Sequence, residues 1–256
     1  LAVFDMSKKK ALLLFCCISC HMVQAQTPDM MPEGSTDINL GMAALIAPSY
    51  EGSDKQKFYL LPFASVVWSN GVFLAPGEIG LRLPSPQHLQ YGPLLSYELQ
   101  TNRADRNASS SLVFTPGAYF NYRLDHRLGL RSRLDYGAGT QRQGIRLHLA
   151  SWFNMPLAPH QSLSAEVGLT LSNKHYMQSY FGINPEQAQY TGLPAYNATA
   201  GIKNTSLQVG WNMELSPKYD FSTRIGINRL WGSAASSPLT TKTNTVSLLT
   251  SLTYHY

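Results

Sequence analysis

A histidine that could serve as a base stands at position 148, two residues after Arg146, with Ser151 and Glu166 in neighbouring stretches. Nucleophilic catalysis needs a nucleophile in hydrogen-bond contact with a base that a third group orients. In an extended chain, the odd separation of His148 and Ser151 puts their side chains on opposite faces, so no enzyme is expected. No His, Cys, Asp or Glu cluster has metal-ligand spacing, and residues 137–144 (GAGTQRQG) do not match a phosphate-binding glycine loop. Neither a cofactor nor a metal is expected. What remains is a polar face carrying charges of both signs: Arg82, Glu98, Arg131, Arg133, Asp135, Arg146, His148, Glu166, Glu214 and Arg224. Such a mixed set predicts a salt-bridged lumen that fills a narrow barrel or lines a small pore of weak ion selectivity.

The elements that must position these charges are strands. Val246, Leu248, Thr250, Leu252, Tyr254 and Tyr256 share one face of the last segment, and Ser247, Leu249, Ser251, Thr253 and His255 share the other. Tyr219, Phe221, Thr223, Ile225, Ile227 and Trp231 alternate with Asp220, Ser222, Arg224, Gly226 and Asn228, with Arg229 the exception. Residues 207–215, 162–172 and 128–136 repeat the pattern. Period two means one apolar and one polar face. Strands of a soluble sandwich run about 5–6 residues. These runs reach 9–12 residues, the length of a tilted strand crossing ~25–30 Å of hydrocarbon. Aromatics at strand ends (Tyr91, Tyr136, Phe153, Tyr219, Trp231, Tyr254 and Tyr256) fit interfacial girdles.

The expected fold is all-β: a transmembrane antiparallel up-and-down β-barrel rather than a soluble sandwich, as a single domain over 37–256. Candidate strands are 37–47, 57–68, 72–83, 91–101, 112–124, 128–137, 144–154, 162–172, 196–203, 206–215, 219–231 and 245–256. Twelve is an even number, as bacterial barrels require. This set contains a conflict, because it puts the short turn 125–127 outside and the long segment 173–195 inside. One strand is therefore split, merged or misplaced, near 84–111 or 196–206, and ten strands is the alternative. The last strand, with Tyr254 and Tyr256, resembles the terminal strand that outer-membrane proteins present to their assembly machinery.

Charged residues make up 14% of the 256 residues, well below the roughly 25% of a soluble domain. No stretch reaches the ~20 apolar residues of a membrane helix. Residues 1–25 read as a signal peptide: Lys8, Lys9 and Lys10 after Met6, the better initiator, then the apolar 11–20, then Val23 and Ala25 before the cleavage point. A rival places lipoprotein cleavage at Ser19-Cys20. Residues 26–36 form a short N-terminal segment. Cleavage after Ala25 removes Cys16, Cys17 and Cys20, every cysteine in the chain, so no disulfide is expected. It also removes three lysines and Asp5, leaving 17 basic against 14 acidic residues, too mild a balance for nucleic acid.

The loops carry the most specific words. Pro48-Ser49-Tyr50-Glu51-Gly52-Ser53-Asp54 follows the first strand, and Tyr176-Met177-Gln178-Ser179-Tyr180-Phe181-Gly182 opens the longest loop. With Trp68-Ser69-Asn70-Gly71, Gly192-Leu193-Pro194-Ala195-Tyr196 and Ser236-Ser237-Pro238-Leu239 they resemble, in order over 37–256, the MipA/OmpV family, MltA-interacting protein and its relatives. Ser236 and Asn173-Lys174 depart from the acidic residues the family tends to carry there. The resemblance implies an outer-membrane location among lipid and the barrel assembly machinery. For the best-known member it implies a scaffold linking a lytic transglycosylase to a bifunctional murein synthase. Other relatives look like small-solute pores, adhesins or antigens. No catalytic residue carries over. Physically, Gly52 and Gly182 suit turns, and Pro48, Pro194 and Pro238 stop strands. Tyr50, Tyr180 and Phe181 could fold a loop inward as a plug or cover; packing for stability and a partner surface are both open for these loops.

Overall fold

The computed structural model describes residues 31–100, 111–138 and 143–256. The signal peptide and residues 26–30 lie outside the described residues. Twelve strands form a closed antiparallel barrel in which each strand pairs with its sequence neighbours and the first meets the last. They are β1 (Thr36–Pro48), β2 (Gln56–Trp68), β3 (Val72–Ala75), β4 (Glu78–Leu81), β5 (Leu89–Gln100), β6 (Ser111–Arg123), β7 (Leu128–Ala138), β8 (Gly144–Ala158), β9 (Gln161–Ser172), β10 (Gly201–Ser216), β11 (Tyr219–Leu230) and β12 (Asn244–His255). Closure runs from Asn39↔His255 to Ile46↔Leu248, and Tyr256, just past the strand, donates its N–H to the Ile38 carbonyl.

Two expected strand boundaries are corrected, and the corrections cancel in the count. The expected strand 72–83 is two short strands, because Pro76-Gly77 turns the chain back and Gly77 takes φ +86, a left-handed value that a side chain disfavours. The expected strands 196–203 and 206–215 are instead one, β10, which absorbs a bulge between Ile202 and Asn204. Residues 196–200 belong to the loop. The break therefore fell at 72–83, not at 84–111, whereas 196–206 was rightly suspect. With these two changes the directions agree: turns 69–71, 124–127, 159–160 and 217–218 lie at one end, and loops 49–55, 173–200 and 231–243 at the other.

The alternation sorts side chains as expected. Leu40, Met42, Phe58, Leu130, Leu134, Val167, Ile225, Val246 and Leu252 are exposed on the outer face. Their strand neighbours Ala43, Ser96, Thr115, Arg133, Asp135, Thr170 and Ser251 are buried inside. The ten long strands run 11–16 residues, enough for a tilted crossing of a ~30 Å core. No helix among the described residues is long and apolar enough to cross a membrane. Tyr219 and Tyr254 pack at 5.2 Å between centroids at the short-turn end, while Tyr136 and Trp231 sit toward the long-loop end, at the heights that interfacial aromatics occupy.

Candidate functional site

Inside the wall, charges on alternate residues of several strands meet across the lumen. Asp135 on β7 is 1% exposed. It accepts from Arg133 Nε at 2.9 Å and from Arg146 Nε and Nη2 on β8 at 2.9 and 2.7 Å. The Arg133 guanidinium continues to Glu78 on β4 at 2.5 Å and to the Ser96 hydroxyl on β5. Arg131 reaches over β8 to Glu166 on β9 at 2.6 Å. Lys203 on β10 binds Glu51 of loop 49–55 at 2.7 Å. Among the described residues, four ion-paired acids of this network (Glu51, Glu78, Asp135 and Glu166) match four bases, Arg131, Arg133, Arg146 and Lys203. Buried charges persist only when paired and hydrogen-bonded, so this balance is what allows them inside.

The loops at the far end close over this network. Loop 173–200 holds helices α1 (Lys174–Phe181) and α2 (Pro185–Thr191), and loop 231–243 holds the single turn α3 (Gly232–Ala235). Asn173 caps α1 by accepting from the Tyr176 N–H, and Asn184 opens α2 with a reciprocal capping box to Gln187. Tyr176, Met177 and Phe181 bury one face of α1 against Ala198, Leu230 and Ala234. Tyr180 stacks on Tyr176 at 4.4 Å. The Tyr176 ring also lies 5.6 Å from both the Arg146 guanidinium and the Lys203 ammonium, joining cap to lumen. The Gly52 carbonyl accepts from the N–H groups of Thr241 and Lys242, the Ser237 hydroxyl donates to the Phe181 carbonyl at 2.6 Å, and the Asp54 N–H donates to Thr241 Oγ1. Ser53 is buried and bonds Ser49. Pro48 ends β1 and Tyr50 is half-buried beside it. The two loop words thus meet in one interlocked cap.

Several expected site residues stand elsewhere. Glu214 is exposed at the short-turn rim, paired with His160 at 2.9 Å, outside the lumen network. Glu98 lies on β5 opposite Val113; its side chain lies outside the described residues. Arg224 points inward on β11 but makes none of the ion pairs named above, and Arg82 lies by Tyr119 near the short-turn end. His148 Nδ1 bonds Thr170 Oγ1 at 3.1 Å, Glu166 is engaged by Arg131, and Ser151 stands opposite Leu130 and Val167 on the outer face. These three form no catalytic geometry. Gly182 has φ −81, so its backbone needs no glycine; a Cβ there would lie 2.5 Å from the Gln178 carbonyl. Tyr254 Oη accepts from Lys218 at 3.5 Å, and Tyr256 is 86% exposed. Glu78, Ser96 and Lys203 went unforeseen. Glu78 shares the parity of Arg82, which was the available signal, and Lys203 sat at the false end of an expected strand.

A twelve-strand closed wall, apolar outside and charged inside, defines a β-barrel of the outer-membrane protein class. The family model described as MltA-interacting protein MipA matches residues 40–256, and the chain belongs to that family. No curated protein matches it in sequence. Among solved structures it is similar to a bacterial polysaccharide outer membrane secretin at 10% identity and TM-score 0.50, covering 88% of this chain and 100% of that one. It is also similar to the NanC porin (9% identity, TM-score 0.44, 86% and 99% covered) and to OmpT of Vibrio cholerae (7%, 0.42, 88% and 99%). At these identities the likeness concerns the fold alone.

Proposed function

We propose that this chain is an outer-membrane scaffold that holds a lytic transglycosylase and a bifunctional murein synthase at its short-turn rim, facing the periplasm. Residues 1–25 direct its export, and the terminal strand with Tyr254 and Tyr256 engages the barrel assembly machinery. The observation that carries the reading is the lumen: paired charges cross it and interlocked loops cover its far mouth, which suits a docking body better than an open conduit. The family description, MltA-interacting protein, supplies the partner class. The rim offers exposed polar and charged groups at Asp125, His126, Arg127, His160, Glu214 and Lys218. Such a rim steers and orients a partner more than it adds raw affinity. Capture of a purified lytic transglycosylase on the immobilised barrel tests this. Binding that falls at least tenfold in Arg127→Glu/Lys218→Glu supports it, and equal binding by an unrelated barrel overturns it.

A second reading, a small-solute pore, is favoured by the charges of both signs on the lumen wall. Steady conductance in a planar bilayer by the unaltered chain would support it over the scaffold. An adhesin acting through loop 173–200 is the third reading, tested by binding of host matrix to that loop.

A further inference from the structure

Arg229, the exception to the alternation of β11, stands on the outer face of the wall, where it is exposed beyond Ile225 and Ile227. Among the described residues, no other outward position of the twelve strands carries a charged side chain. Its place along the strand explains how a charge is tolerated there. Ten residues separate it from Tyr219, which packs with Tyr254 at the short-turn end. At about 3.3 Å per residue and a tilt of roughly 40°, the two levels lie about 25 Å apart along the barrel axis, one apolar band. Arg229 therefore sits at headgroup height on the long-loop side, where an outward charge costs far less than at the bilayer centre.

Three features say what it meets. First, the guanidinium is held in place but keeps its donors. Its carbon lies 4.2 Å from the centroid of the Trp231 ring, and that indole is fixed to the wall by its Nε1–H, which donates to Thr205 Oγ1 at 2.9 Å. A guanidinium set over an aromatic ring is attracted to it without using up its N–H fork, the group that grips phosphate. The fork makes no hydrogen bond or ion pair among the described residues. Second, the strand register puts Thr205, Arg229 and Asn244 in one row across β10, β11 and β12. The next two rows toward the membrane centre are Leu207-Ile227-Val246 and Val209-Ile225-Leu248, all exposed. A cation thus crowns an apolar strip. Third, Lys55, Lys57, Lys174 and Lys242 are exposed at this end of the barrel, against the acids Asp54 and Glu186, and none of the six makes an ion pair among the described residues. That excess of positive charge is complementary to an anionic surface. Other occupants fit less well. A water-soluble anion gains nothing from the apolar rows, and a second copy of the chain set face to face here would bring two Arg229 side chains together.

We propose that the outer face of β10–β12 is a binding site for a phosphate-bearing lipid of the leaflet at the long-loop end. The headgroup phosphate accepts from the Arg229 guanidinium, with the Asn244 amide beside it, and the acyl chains lie down the two apolar rows. Trp231 positions the guanidinium and does not itself touch the phosphate. The site rests on the barrel spanning a membrane and is independent of any scaffold role; the test keeps site and barrel apart.

The test uses the full chain with Cys16→Ser, Cys17→Ser and Cys20→Ser, refolded into phosphatidylcholine vesicles, with a nitrobenzoxadiazole dye on one engineered cysteine. Val246→Cys puts the dye in the apolar row next to Arg229, and Leu134→Cys puts it on the outer face of β7, away from the site. Each variant is first shown to fold by heat-modifiable gel mobility, and Leu248→Cys replaces Val246→Cys if the latter does not fold. Phosphatidic acid, phosphatidylcholine and palmitate, each with a brominated chain that quenches on contact, are mixed in one at a time at equal mole fraction. The expected result at position 246 is a preference of at least threefold for phosphatidic acid over phosphatidylcholine and over palmitate. At position 134 no preference is expected, and Arg229→Gln should bring position 246 to that level. Equal preference at 246 and 134 overturns the site in favour of a general attraction to the charged end of the barrel. Preference that survives Arg229→Gln overturns Arg229 as its seat, and palmitate favoured as strongly as phosphatidic acid overturns the phosphate. Quenching at 134 with none at 246 by any lipid overturns the site in favour of a face covered by protein. No quenching at either position overturns the membrane barrel itself.

Discussion

Replacing Asp135 by asparagine keeps the shape of the side chain and removes its charge. The carboxylate is 1% exposed and receives three guanidinium N–H bonds at 2.7–2.9 Å, from Arg133 and Arg146. Asparagine can accept some of these bonds but removes the negative charge between the two arginines; among the described residues Glu78 stays paired with Arg133. Removing one partner of a buried pair costs about 3–5 kcal/mol, because the surviving charge stays desolvated; part of that is recovered through the amide oxygen, so about 3 kcal/mol is expected. The assay is urea unfolding of the barrel in lipid vesicles, followed by the gel mobility of folded and unfolded forms. Glu214→Gln is the internal control. Its pair with His160 is 64–71% exposed, and exposed pairs contribute about 0–1 kcal/mol. A loss below about 1 kcal/mol at Asp135, or one no larger than at Glu214, would refute the claim that a desolvated network holds the lumen.

Three further outcomes follow from the cap and the rim. Lys203→Met removes the partner of Glu51 at a 5% exposed site; it should speed protease cleavage within 173–200 by more than tenfold while β-sheet content is unchanged by circular dichroism. Gly52→Ala places a side chain at φ +86, with Thr240 at 3.0 Å, and should cost about 1–2 kcal/mol, read as faster hydrogen exchange at the Thr241 and Lys242 amides. The Asp125 carboxyl at the rim is held below its ordinary value by the His126 backbone N–H and then by its ring. Its folded-state value being the lower one, the contact is complete above the unfolded value and is lost as pH falls through the folded one. NMR titration should show Asp125 titrating below free aspartate, and His126→Ala should move it back upward.

The barrel was legible because period two survives wherever one face meets lipid and the other a polar interior. Leu128, Leu130, Leu134 and Tyr136 against Arg131, Arg133 and Asp135 is such a case, and the structure keeps every one of these on its expected side. The same signal is blind to a strand that turns back in place. In 72–83 the alternation continues through Pro76-Gly77, so the hairpin read as one strand, and with it went Glu78 as the acid facing Arg133. The bulge at Ile202/Asn204 did the opposite, shifting the parity so that one strand read as two and hiding Lys203. The loop words pointed to residues that meet in space, but not to their joints, because Gly52 meets Thr241 and Lys242, and Phe181 meets Ser237, only after the barrel brings their strands together. His148, Ser151 and Glu166 failed as a set for a reason already present in the parity of the sequence.

The scaffold account stands most directly on whether one barrel holds both enzymes at once. Mass measurement of single particles, with the barrel in a lipid nanodisc and a lytic transglycosylase and a bifunctional murein synthase added together, reads this without labels. The account predicts a ternary species carrying one copy of the barrel and both enzymes, depleted in Arg127→Glu/Lys218→Glu. Barrel particles that remain free of both enzymes at micromolar concentrations, while the same preparation conducts ions steadily in a planar bilayer, would contradict it.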